Sequence, residues 1–179
     1  MALTVPLTQA GWPVLAKNSP KLYRWVIPAL NGRFTLLMRN GSAGFCLAHL
    51  ALSLSELVED ATQSTVVDDW GWAYRSVRDS SDWSNHAGGI AFDFNALQHV
   101  LGKSGTWSKA EVAKIETRLD WMDNIIRWGG DYMRRKDEMH FELVCGMREA
   151  EKLAKRLMKT PRGKRILLAN PGQAKVIMS

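Results

Sequence analysis

The chain of 179 residues has only two cysteines, Cys46 and Cys145, with no CxxC pair and no Cys/His finger spacing. That excludes a structural zinc finger. Cys46 sits in an apolar run and Cys145 follows a predicted strand, so both read as buried free thiols. Spacing alone does not decide between two thiols and a bridge. No stretch approaches the roughly 20 apolar residues of a membrane span. Met1 to Pro20 has no basic start followed by an apolar run, so no secretory signal is read there. The expectation is synthesis in a cytosol, with a separate factor needed for any action outside it. Repeats and low-complexity tracts are absent, and so is any recognised nucleic-acid motif. A specific nucleic-acid partner is therefore not expected.

What is present is ordinary globular material: 46% hydrophobic and 23% charged residues. The length predicts one domain and a core of useful size. The net charge of +6 is unevenly placed. From Arg148 to Ser179 there are nine Lys/Arg and two Asp/Glu, or +7, against −1 for everything before. The division that follows is residues 1–147 as the main domain, and 148–179 as a basic amphipathic helix and tail packed on it or appended to it. A basic tail attracts polyanions, and a solvated helix face is the plainer account of the same charges.

Leu22–Ile27 and Phe34–Met38 flank Asn31-Gly32 and predict a hairpin. Ser42 is a candidate cap for a helix to about Asp60. Val66–Val77, rich in β-branched and aromatic residues, predicts a strand, and Arg78–Ser84 a loop. Ile90–Asn95 alternates, with Asp93 on the side away from Ile90, Phe92 and Phe94. Ser108 caps a predicted helix to about Met122. Ile125–Trp128 and His140–Leu143 read as short strands. Arg148–Met158 reads as an amphipathic helix ended by Thr160-Pro161-Arg162-Gly163. Helices and short strands without regular βαβ alternation predict an α+β fold.

The chemistry lies in Ser84-Asn85-His86-Ala87-Gly88-Gly89-Ile90-Ala91-Phe92-Asp93 and, far downstream, Asp137-Glu138-Met139-His140. Two imidazoles and one carboxylate suit Zn²⁺, whereas calcium would demand more oxygens. Three protein ligands leave a fourth position open, as in a catalytic zinc site. His49 and His99 read as structural residues.

The first segment resembles the S-x-H-x-x-G-x-A-x-D signature of the zinc D-Ala-D-Ala carboxypeptidase/L-Ala-D-Glu endopeptidase family, which includes VanY-like D,D-peptidases and many bacteriophage endolysins. Asp137-x-x-His140 is similar to the family's second motif, and Tyr74-Arg75-Ser76 to its arginine segment. Trp70-Gly71-Trp72 and Trp128-Gly129-Gly130-Asp131-Tyr132 resemble lysins of actinobacterial phages. The resemblance implies a small antiparallel sheet lining a zinc cleft and flanked by helices. It implies one Zn²⁺ on His86, Asp93 and His140, with Asp137 as general base and Arg75 on the scissile carbonyl. Period-two geometry would favour Glu138 instead of Asp137 if an extended strand began at Asp137. Glu142 shares the His140 face and reads either as a support for that ligand or as a surface carboxylate. Among eight tryptophans, most are assigned to the core and Trp83 to substrate binding.

The implied substrate is bacterial peptidoglycan, with anionic wall polymers as possible partners of the basic tail. The implied state is a monomer made without a signal peptide and acting on the wall after release. L-Ala-D-Glu is the bond expected first and D-Ala-D-Ala second. A non-hydrolytic, zinc-bearing binding module of related architecture is the alternative from another class.

Overall fold

The computed structural model describes residues 5–64, 66–78 and 80–179. Met1–Thr4, within the stretch read for a signal, and Asp79, within the predicted 78–84 loop, lie outside the described residues, as does Thr65. The element order is β1 (Leu22–Ile27), β2 (Phe34–Arg39), α1 (Gly41–Leu57), β3 (Ala91–Asp93), α2 (Lys109–Trp121), β4 (Ile126–Trp128), β5 (His140–Leu143), α3 (Met147–Leu157), α4 (Pro161–Ala169) and α5 (Gln173–Met178). This is an α+β fold with two small antiparallel sheets, the β1-β2 hairpin and a three-stranded sheet in the order β3-β5-β4.

The helix α1 is the centre of the core. Fifteen of its 17 residues are buried, consistent with a sequence that is apolar or small around most of its circumference. The hairpin, the three-stranded sheet and all four other helices contact it. Its start differs from the expected Ser42 cap: Asn40 holds the cap position without a side-chain bond. The first helical N–H, on Gly41, donates instead to Gln173 Oε1 at 3.0 Å. That acceptor arrives from α5, beyond the reach of any local pattern.

Sheet register explains how the site and the core share three short strands. Phe92, Phe141 and Trp128 are cross-strand partners, and their rings stack at 5.3 and 6.5 Å between centroids. Such pairs contribute about 0.5–1.5 kcal/mol beyond the area they bury. The residues one step along point to the other face. There Asp93 pairs with His140, and Arg127 with Glu142. One face is aromatic core, and the other carries the ionisable groups.

Val66–Val77 forms no strand, only single bridges at Trp70 and Ser76. The composition fits a strand, but its donors go to different partners. Trp70 N–H donates to Asp93, Trp72 to Leu37 and Ala73 to His86. A chain threading between three neighbours builds no continuous ladder.

The stretch from Met147 to Ser179 holds three helices rather than one helix and a tail. Thr160-Pro161 ends α3 and also begins α4: the Thr160 side chain accepts from Gly163 N–H, and Pro161 occupies the first turn. Leu153, Ala154, Leu157, Ile166 and Ile177 join the same core as α1. Glu56 of α1 pairs with Arg162 at 2.6 Å and also with Arg165. Asn170 bonds both the N–H and the C=O of Val26 in β1. Both cysteines are free thiols.

His49 sits at this junction, 1% exposed, with Nε2 3.0 Å from Thr160 Oγ1 and its ring against Trp121. Burial, with the nearby charges of Arg162 and Arg118, pushes its pKa down to about 4. Between pH 6.5 and about 4 the unfolded chain therefore binds the proton that the folded chain refuses. Stability present above pH 6.5 is lost as pH falls through that window, by on the order of 3 kcal/mol from this group. Urea unfolding at pH 7 and pH 4.5 should show a smaller loss in His49→Gln than in the parent chain. Equal losses would contradict the assignment.

Candidate active site

His86 lies in a 3₁₀ turn, Asn85–Gly88, whose cap Ser84 accepts from His86 N–H at 3.3 Å. The turn closes at Gly89 with φ +66°, and a Cβ there would stand 2.7 Å from the Arg39 nitrogen. Both facts favour glycine. Gly71 is held for another reason, since a Cβ would stand 2.2 Å from the Leu37 carbonyl oxygen. This close approach sets the Gly71 carbonyl 2.6 Å from His86 Nδ1. A carbonyl only accepts, so Nδ1 carries the proton and Nε2 presents its lone pair.

That lone pair meets two other donor atoms. His86 Nε2 is 3.2 Å from Asp93 Oδ1 and 3.1 Å from His140 Nδ1, and the last two are 2.9 Å apart. Ligand atoms about 2.0–2.2 Å from a tetrahedral zinc stand roughly 3.3–3.6 Å from one another. The triangle is a few tenths of an ångström tighter than one face of such a shell, and its two-nitrogen, one-oxygen chemistry suits zinc. All three residues are buried. The structure brings together the three residues that the motif reading singled out.

The electrostatics favour positive charge among these groups. Burial opposes charge on Asp93, but the two imidazoles outweigh it and hold its carboxyl well below the usual carboxylate range. Burial likewise opposes charge on His140, yet Asp93 and Glu142 raise its pKa to about 10. A proton on His140 is one positive charge that answers the converging lone pairs. Metal uptake would release it.

These residues line a cleft of about 870 Å³ together with Arg75, Asp137, Tyr132, Met139 and Trp70. Asp137 is half-buried, and its Oδ1 has no hydrogen-bond partner among the described residues. Burial and the Asp93 charge raise its pKa, against the opposing pull of His140, His86 and Arg75. Glu138 turns away. Its carboxylate accepts from Gly105 N–H at 2.7 Å, Thr106 N–H at 2.8 Å and the Thr106 hydroxyl. The condition that favoured Glu138 is not met: the strand begins at His140, whose N–H closes a turn on the Asp137 carbonyl.

Arg75 lines the cleft with an exposed side chain, as do Arg78 and Arg135. Trp83 is not among the lining residues. Its ring packs on Tyr74 at 4.8 Å between centroids, and its backbone pairs with Thr8 and Ser76. The tryptophan that reaches the cleft is Trp70, 46% exposed. His99 is structural, stacked on Trp107 at 3.5 Å and bonded to Glu59 and Thr106. Sequence reading missed Asn85, Arg127 and Tyr132, which surround Glu142. Asn85 occupies a variable position of the motif, and Arg127 gains its place only through the β4–β5 register.

Comparison with known proteins agrees with this geometry. Residues 78–143 match the family model described as D-alanyl-D-alanine carboxypeptidase. The matched segment contains His86, Asp93, Asp137 and His140, and Arg75 falls just before it. The match supports the resemblance to the VanY-like zinc peptidases and a peptidase activity. Neither curated proteins nor solved structures give a match to the chain.

Proposed function

We propose that the protein is a zinc-dependent peptidase that hydrolyses an amide bond of the peptidoglycan stem peptide. The proposed setting is a phage endolysin, and L-Ala-D-Glu is the proposed bond. The observation that carries this reading is the triangle of donor atoms on His86, Asp93 and His140, with an Asp137 oxygen in the same cleft that has no partner among the described residues.

A zinc ion held there would supply positive charge that acidifies water and polarises a carbonyl. Asp137 takes the proton from the attacking water as the water oxygen bonds to the carbonyl carbon. It returns that proton to the amine as the C–N bond breaks. Its raised pKa suits both transfers. Arg75 donates to the carbonyl oxygen as negative charge develops on it. Arg78 and Arg135 add positive charge to the cleft walls, which suits a substrate bearing carboxylates. The retention of Asp137 and Arg75 weighs against a non-hydrolytic module.

The description of the matched family favours a second reading, removal of the terminal D-Ala as a D-Ala-D-Ala carboxypeptidase. Anionic wall polymers are the proposed partners of α3. Its exposed Arg148, Lys152 and Lys155 form one stripe, continued by Lys159 just past the helix end, opposite the buried Ala150, Leu153, Ala154 and Leu157. Among the described residues no helix is long and apolar enough to cross a membrane. The proposed place of action is the wall, after release from the cytoplasm.

Mass spectrometry of peptidoglycan digested by the zinc-loaded protein tests the reading. New L-Ala carboxyl and D-Glu amino termini are expected. Free D-Ala would select the second reading, and the absence of any new terminus would overturn both.

A further inference from the structure

The two imidazoles of the triangle use opposite nitrogens. His86 offers Nε2 and His140 offers Nδ1. For His86 the choice is made by a backbone carbonyl, that of Gly71. For His140 the group at the far nitrogen is a side chain: Nε2 stands 3.2 Å from Glu142 Oε2. An ionised carboxylate accepts hydrogen bonds and donates none, so it keeps the proton on Nε2 and leaves Nδ1 with its lone pair.

The surroundings of Glu142 fix its two oxygens as hydrogen-bond acceptors. Its side chain is 2% exposed. Asn85 Nδ2 donates to Oε2 at 2.5 Å. On Oε1, the Tyr132 hydroxyl donates at 2.5 Å and Arg127 Nε at 2.9 Å, with the Arg127 amino group beside it. Arg127 also lies over the Tyr132 ring at 5.0 Å, and its charge balances that of Glu142. Counting His140, four side chains converge as donors on two oxygens. An amide at this position would turn its NH₂ toward donors on one side or the other.

We propose that Glu142 is a positioning residue that fixes which nitrogen His140 gives to the metal, with Asn85, Tyr132 and Arg127 holding the carboxylate in place. The inference rests on the reading of His86, Asp93 and His140 as metal ligands. Ligand histidines whose second nitrogen donates to a carboxylate are held in orientation and made more basic. Glu142→Gln is nearly isosteric but reverses the logic. With its NH₂ toward His140, the glutamine would require Nε2 to accept, and the imidazole proton would move to Nδ1, the atom facing Asp93.

The test is chelator competition for zinc by the parent chain, Glu142→Gln and Tyr132→Phe, together with the absorption spectrum of each protein loaded with cobalt(II). Glu142→Gln should bind zinc roughly 10- to 100-fold more weakly and alter the cobalt spectrum. A purely structural carboxylate would lower the unfolding temperature and leave zinc affinity and cobalt spectrum unchanged, and that result would overturn the proposal. Should Glu142→Gln fail to fold, Tyr132→Phe decides. It removes one hydrogen bond at the cleft edge and should weaken zinc about fivefold, whereas parental affinity would overturn the proposal. A parent chain that takes up neither metal would defeat the metal reading first, and this inference with it.

Discussion

Replacing His86 by alanine should remove the metal and the hydrolytic activity together. Three donor atoms 2.9–3.2 Å apart form one site, and two of them cannot hold zinc against the water and buffer that compete for it. The remaining pair, Asp93 and His140, would close on each other through their existing 2.9 Å contact. Loss of the metal charge should cost several kcal/mol of transition-state stabilisation, or about a thousandfold or more in kcat/KM. His99→Gln is the matching control, because His99 sits against Trp107 and Glu59 and should leave the zinc content unchanged. Zinc analysis beside a hydrolysis assay reads both variants. A His86→Ala protein that still carries one zinc would remove His86 from the site.

Asp137→Ala should separate binding from chemistry. The carboxylate lies outside the triangle, and its Oδ1 has no partner among the described residues, so its removal breaks no hydrogen bond at that atom. Zinc content should remain at one per chain while kcat falls by roughly 10²–10⁴, the worth of a positioned general base. Glu138→Ala should do the opposite. It frees the N–H groups of Gly105 and Thr106 and lowers stability, while the chemistry of the folded enzyme stays near normal. Near-parental turnover in Asp137→Ala would deny that residue its role.

Much of this was legible because the signals are local. The hairpin over Asn31-Gly32, the Ser108 helix cap and the alternation around Asp93 each occupy a few consecutive residues. The structure places them as read, apart from shifts of a residue or two. Asp93 and His140 were legible as candidates from their motifs. Their contact was not, because it depends on β3 pairing with β5 across 47 residues. The same limit hid the Gln173 cap on α1 and the Arg127–Glu142 pair. Nearness in sequence points Trp83 toward the substrate, yet its ring packs on Tyr74 and Trp70 reaches the cleft. Val66–Val77 has the composition of a strand, but composition carries no information about where successive N–H groups find acceptors.

X-ray absorption at the zinc edge of the purified, zinc-loaded protein tests the metal centre most directly. The account predicts one zinc per chain with two imidazole nitrogens and one carboxylate oxygen at about 2.0–2.2 Å, and a solvent oxygen as the fourth neighbour. A shell containing sulfur, a shell of oxygens alone, or a protein that retains no zinc would contradict it.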